Sequence, residues 1–132
     1  MKARIFTNEE IELLNKNPFV IKIKYKREIE YDSYFKLWCA LQRHFFEERT
    51  SKEIFELAGF NTKILNDRLP QARVKLWNDR FNQFGIDYFI PSYKYSTTKK
   101  YFEKIISTSE KGTYKEILKE LMILLSWYSK DE

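Results

Sequence analysis

The sequence predicts a mostly α-helical protein with a short β-hairpin near its start. Capping boxes pair a Thr hydroxyl with a Glu carboxylate three residues later, each satisfying a free backbone amide. They occur at Thr7–Glu10, Thr50–Glu53 and Thr113–Glu116. Three Gly and three Pro among 132 residues leave little chain for irregular loops. The stretch Thr50–Phe84, TSKEIFELAGFNTKILNDRLPQARVKLWNDRFNQF, reads as a short helix, a glycine turn, a spacer and a second helix with basic flanks. That order suits a helix-turn-helix, which places one helix in a DNA major groove.

The elements follow in chain order. Thr7 opens a first helix, Phe6 packs on Ile11 as a staple, and Asn17-Pro18 stops it. From Val20 to Tyr31 the period changes to two. Ile21, Ile23 and Tyr25 alternate with Lys22 and Lys24, then Ile29 and Tyr31 with Glu28 and Glu30, turning near Lys26-Arg27. Lysines on one strand and glutamates on the other suit cross-strand charge pairs. A lone hairpin is marginal, so this one must lie against helices.

Asp32 or Ser33 caps a longer helix, about Ser33–Glu48, with Phe35, Trp38, Leu41 or Gln42, and Phe45 at helical spacing. The helix begun at Thr50 turns Ile54, Phe55 and Ala58 inward. Gly59 suits a left-handed turn that Phe60 closes onto the core. Asn61 or Thr62 starts a single helical turn through Leu65. Pro70 sits where a first helical position belongs. Val74, Trp77, Phe81 and Phe84 then make one narrow stripe, and Gly85 ends the helix. Residues 87–98 form an aromatic connector broken by Pro91. Two more helices follow, about Lys99–Ser107 and Tyr114–Ser129, with Lys111-Gly112 between them. This divides the chain into a helix-turn-helix unit (1–86), the connector, and a C-terminal helical pair (99–132).

The net charge is +5, which permits contact with nucleic acid without demanding it. Between Lys63 and Arg80 five basic and two acidic residues leave +3 within the candidate binding element. At 100° per residue, Ala72, Lys75 and Asp79 point directly away from the apolar stripe, with Gln71, Leu76 and Asn82 beside them. Arg73 and Arg80 share one flank. The N-terminal half of such a helix enters the groove, so Gln71 and Lys75 are the base-reading candidates, the Gln71 amide suiting an adenine edge. Arg68, Arg73 and Arg80 are candidates for phosphate contact. The start of the preceding helix at Ser51 and Lys52 offers free amides to a further phosphate. Asp79 counts against a uniformly DNA-facing surface.

Capped helix, NP break, strands ending in IEY, a long helix, then SKEIFELAGF and a basic helix containing Trp form an ordered set. The segments FTNEEIELLNKNPFV, IEYDSYFK, TSKEIFELAGF and ARVKLWNDRF together resemble a helix-turn-helix family of bacterial transposase origin. That family includes the small upstream-frame subunit of insertion-sequence transposases and its stand-alone relatives. The resemblance covers about Arg4–Gly85. It implies a homeodomain-like core, DNA contact through the outward positions of Gln71–Arg80, and no catalytic residue in this chain. The long helix is more aromatic than the family pattern, Glu47-Glu48-Arg49 stands where a glycine is frequent, and the Asn61–Leu69 spacer exceeds a minimal turn.

Nothing in the sequence points to catalysis, a cofactor or a metal site. One His, no glycine-rich phosphate loop and no serine elbow are present. The single Cys39 excludes an intrachain disulfide and sits in an apolar helical pattern, which suits a buried thiol. The N-terminus shows no apolar signal core, so a cytoplasmic location is expected. Tyr114, Leu118, Leu121, Leu125 and Tyr128 make a C-terminal seam that either folds back on the core or forms a homodimer. The expected function is non-catalytic, sequence-specific binding of double-stranded DNA, as a transposase-related accessory subunit or a transcriptional regulator. The alternative is a protein-interaction or dimerisation module that kept the fold and lost DNA binding.

Overall fold

The computed structural model describes residues 5–108 and 112–129. Its elements are α1 (Asn8–Asn15), β1 (Val20–Lys24), β2 (Glu28–Tyr31), α2 (Ser33–Phe45), α3 (Ser51–Leu57), α4 (Thr62–Leu65), α5 (Arg68–Phe84), α6 (Tyr95–Thr108) and α7 (Thr113–Tyr128). A 3-10 turn, Ile86–Tyr88, follows α5. The chain is mostly helical, with one two-stranded antiparallel sheet. No helix among the described residues is long and apolar enough to cross a membrane.

Helix α2 is the central element. Every residue from Leu37 to Gln42 is buried, so it is covered on nearly all sides, as a fully enclosed helix must be. Its main neighbours are α5 and α7. Phe35, near its start, meets the rings of Phe19, Tyr31, Trp38, Phe55, Phe60 and Trp77, with centroids 5.1 to 6.1 Å apart. These rings come from α2, α3, α5, β2 and both connecting segments, so one cluster ties the first 80 or so residues together. Cys39 lies fully buried beside it, and burial pushes its thiol pKa up.

The capping boxes at Thr7 and Thr50 form as expected, with Glu10 and Glu53 reaching back to the cap amides. The third does not. Helix α7 begins at Thr113 itself, its cap is Gly112, and Glu116 pairs with Lys119 at 3.7 Å. Lys111, expected in the turn with Gly112, lies outside the described residues. Gly59 takes φ +87, and the buried Phe60 closes the turn by donating its amide to the Phe55 carbonyl. Asn17 braces this turn from across the fold, since its Nδ2 donates to the Ala58 carbonyl at 2.9 Å. Phe45, expected at the inward spacing, is half-buried, and α2 ends there rather than at Glu48.

The hairpin runs in the expected range, and Lys22 pairs with Glu30 at 3.7 Å. The inward face differs. A register shift between Val20 and Lys22 buries Val20 and turns Ile21 out to 58% exposure. An extra residue in one strand swaps the faces beyond it. Tyr25 is left 80% exposed at the tip.

Helix α5 starts two residues earlier than Pro70. The cap residue Asp67 makes no side-chain cap bond; instead Asn66, one residue before it with φ 60, caps the helix by accepting from the Arg68 and Leu69 amides at 2.9 and 3.3 Å. Pro70 then occupies the third helical position, where a missing N–H still costs no helical bond. At the other end Phe84 is 60% exposed, stacked on Tyr88 rather than in the core. Helix α6 begins at Tyr95, so the aromatic connector is shorter than the sequence suggests.

The C-terminal seam folds back on the core. Leu118, Leu121 and Leu125 are fully buried, and Tyr114 meets Phe19 at 5.1 Å. Gln42, buried in α2, donates to the Glu120 carboxylate of α7 and accepts from Arg49 at 2.5 Å.

Because Phe35 touches six rings from different segments, Phe35→Ala is expected to cost about 3–5 kcal/mol, the range for a buried Phe truncation. Denaturant unfolding at fixed m-value checks this. A cost below about 1 kcal/mol would show that the cluster does not hold the fold.

Candidate nucleic-acid interface

Two helices carry the candidate residues, α3 and α5. α3 and α5 both pack against one another, and α5 packs chiefly against α2. Ten residues, 58–67, separate α3 from α5. They are anchored rather than loose. Asn61 caps α4 through the Lys63 amide, Thr62 Oγ1 donates to Glu56, and Ile64 and Leu65 are buried.

On α5 the inward face is Pro70, Val74, Trp77 and Phe81. The outward stripe is Arg68, Gln71, Ala72, Lys75, Asp79 and Asn82, all exposed along the length of the helix. The structure therefore brings Gln71, Lys75 and Arg68 onto one surface. Arg73 and Arg80 are half-buried on a shared flank, where Arg80 donates to Gln83 at 3.2 Å. Leu76, expected beside the outward residues, is half-buried on this flank.

Arg73 has a second role in the geometry. With Leu76 and Trp77 it faces the hairpin across a cleft of about 240 Å³, whose other wall includes Lys24, Glu28 and Glu30. Tyr31 lies in that wall, buried, and among the described residues its hydroxyl has no hydrogen-bond partner. Burial pushes the Tyr31 phenol pKa up, and the Arg73 charge offsets part of the rise.

Ser51 and Lys52 are placed differently from the rest. Ser51 is buried, and its hydroxyl accepts from Arg43 at 3.1 Å, while the same guanidinium donates to the Arg49 carbonyl at 2.9 Å. The Arg43 brace joins the end of α2 to the start of α3, so Ser51 serves the corner of the fold. Lys52 is exposed and pairs with Asp67 at 3.8 Å. An exposed pair of this kind is worth little.

Comparison with protein-family models, with curated proteins and with solved structures gives no match. The surface must therefore be read from its own chemistry.

That chemistry is polar and cationic. Gln71 offers both an amide donor and acceptor, Lys75 a mobile ammonium, and the arginines planar forks suited to phosphate oxygens. Among the described residues, no group of three or more His, Cys, Asp or Glu side chains is placed to hold a metal ion. Sequence reasoning missed Asn66 as the α5 cap and Tyr31 as the cleft wall. The first had a signal, since Asn tolerates left-handed backbone. The second had none, because it depends on how the hairpin meets α5.

The orphaned Tyr31 hydroxyl gives a signed expectation. Tyr31→Phe keeps the ring contacts and removes a desolvated donor, so stability should hold or rise by up to about 1 kcal/mol. A loss above about 1 kcal/mol in thermal or denaturant unfolding would show that the hydroxyl has a partner, such as a bridging water.

Proposed function

We propose that the protein binds double-stranded DNA without catalysing a reaction, as a transposase-related accessory subunit or a regulator derived from one. The observation that carries this reading is the outward stripe of α5. Gln71 and Lys75 sit on a helix fixed by its apolar face, with Arg68 before them and Arg73 and Arg80 beside them. A recognition helix needs this division between a packed face and a polar face. Base contacts fall to Gln71 and Lys75 and phosphate contacts to the arginines. Lys52 adds a phosphate contact from α3 once released from Asp67, whereas Ser51 contributes through the fold.

A second reading has an observation of its own. Ile123 and Trp127 on α7 are 50% and 45% exposed, although the seam on the other side of that helix is buried. A protein partner, or a second copy of the chain, would use this outer side of α7.

A salt titration of binding to a labelled random-sequence duplex separates the two. Affinity should fall steeply with salt, the slope of log K against log salt gaining about 0.9 for each phosphate neutralised. Arg73→Ala with Lys75→Ala should flatten that slope by about 0.9, for the Arg73 phosphate, and weaken binding at every salt concentration. No binding at low salt would sink the DNA reading.

A further inference from the structure

The hairpin tip is shaped at a cost that packing does not repay. β1 and β2 turn over Tyr25, Lys26 and Arg27, with the Arg27 amide donating to the Lys24 carbonyl at 3.0 Å. Tyr25 and Lys26 both lie in the left-handed region, at φ 54 and 55. This backbone is the type I′ turn, which Asn and Gly favour because a larger side chain is strained there. Tyr25 gains no burial in exchange, at 80% exposure. The turn is nevertheless held in place. The buried Phe6 donates its amide to the Lys26 carbonyl at 2.7 Å, strapping the N-terminal segment across the tip.

The charges at this end of the hairpin are unequal. Glu30 is answered by Lys22, and Glu28 stands opposite Lys24 in register. No carboxylate among the described residues pairs with Lys26 or Arg27, and both are exposed. The tip also lies beside the recognition candidate, since Lys24 and Glu28 line one cleft with Arg73 and Leu76 of α5.

We propose that the hairpin tip is a second contact to the duplex, in which Lys26 and Arg27 bind phosphates and Tyr25 packs on the sugar between them. The inference rests on the reading of duplex DNA as the partner of α5. A pre-shaped tip loses little freedom on binding, and Tyr supplies contact area with few rotamers to fix. Phosphate contacts on both sides of a recognition helix set its register in the groove. The strain at Tyr25 and Lys26 fits this role, because backbone strain persists where the surrounding structure holds it for use.

The test compares four proteins, wild type, two tip variants and the Arg73→Ala, Lys75→Ala protein, on one fluorescein-labelled random-sequence duplex across a salt series. Wild type should bind with a steep slope. Lys26→Ala with Arg27→Ala should flatten the slope by about 1.8, at 0.9 for each phosphate. Tyr25→Asn suits the left-handed turn, so the fold is kept and its thermal stability should hold or rise, while binding should weaken at least threefold. If wild type and both variants share one slope and affinity, while the Arg73→Ala, Lys75→Ala protein is impaired, the tip contact is overturned and the α5 reading stands. If wild type fails to bind at low salt, the reading on which the tip depends fails, and the tip contact with it.

Discussion

The structure depends on where the Phe35 ring sits. Among the described residues it is the one aromatic ring that meets rings of α3, α5, the hairpin and the segment after α1 at once, through Phe55, Trp77, Tyr31 and Phe19. Edge-on and offset ring pairs of this kind each contribute about 0.5–1.5 kcal/mol beyond the burial itself. The geometry matters as much as the energy. Trp77 is the midpoint of the inward face of α5, so fixing its ring fixes the rotation of that helix about its axis. The exposure of Gln71 and Lys75 follows from that rotation. The C-terminal pair joins the same cluster indirectly, through Tyr114 on Phe19.

Three polar braces lock the joints that the ring cluster leaves free. Asn17 spans from the end of α1 to the turn after α3. Arg43 holds the corner between α2 and α3. Gln42, Arg49 and Glu120 connect α2, the following loop and α7, with the Arg49 guanidinium also 4.2 Å over the Phe46 ring. Each satisfies groups that would otherwise be buried unpaired, which is where a polar network contributes most to a single defined packing. Rigid joints also fix the outer stripe of α5 in one orientation, because that helix is held by several elements.

Local signals were readable wherever one segment settles the outcome. The Thr7 and Thr50 boxes, the Gly59-Phe60 closure, the hairpin range and the inward face of α5 at Val74, Trp77 and Phe81 all rest on neighbouring residues. What was not readable depends on distant partners or on competing local ones. The shift at Val20 turned Ile21 outward, against a clean alternation. Asn66 began α5 before the more conspicuous Pro70. Thr113 lost its cap role because Gly112 precedes it in extended backbone. Phe84 completes an apolar stripe on a wheel, yet α5 outruns the core there and Tyr88 takes the ring. For the candidate site, the outward positions of α5 were legible from periodicity. The burial of Ser51 was not, because Arg43 reaches it from another helix.

The surface that results is modestly basic rather than strongly so, with Asp79 on the outward stripe and Glu28 and Glu30 across the cleft. The proposed DNA contact would therefore rest on geometry as well as charge, unlike that of a simple cationic patch. Backbone amide shifts during titration with a short DNA duplex test this most directly. Shifts are expected to concentrate at Arg68, Gln71, Lys75 and the hairpin tip, with the amides of Phe35, Leu37 and Leu41 unmoved. Shifts confined to Ile123 and Trp127, or none at saturating duplex and low salt, would contradict it.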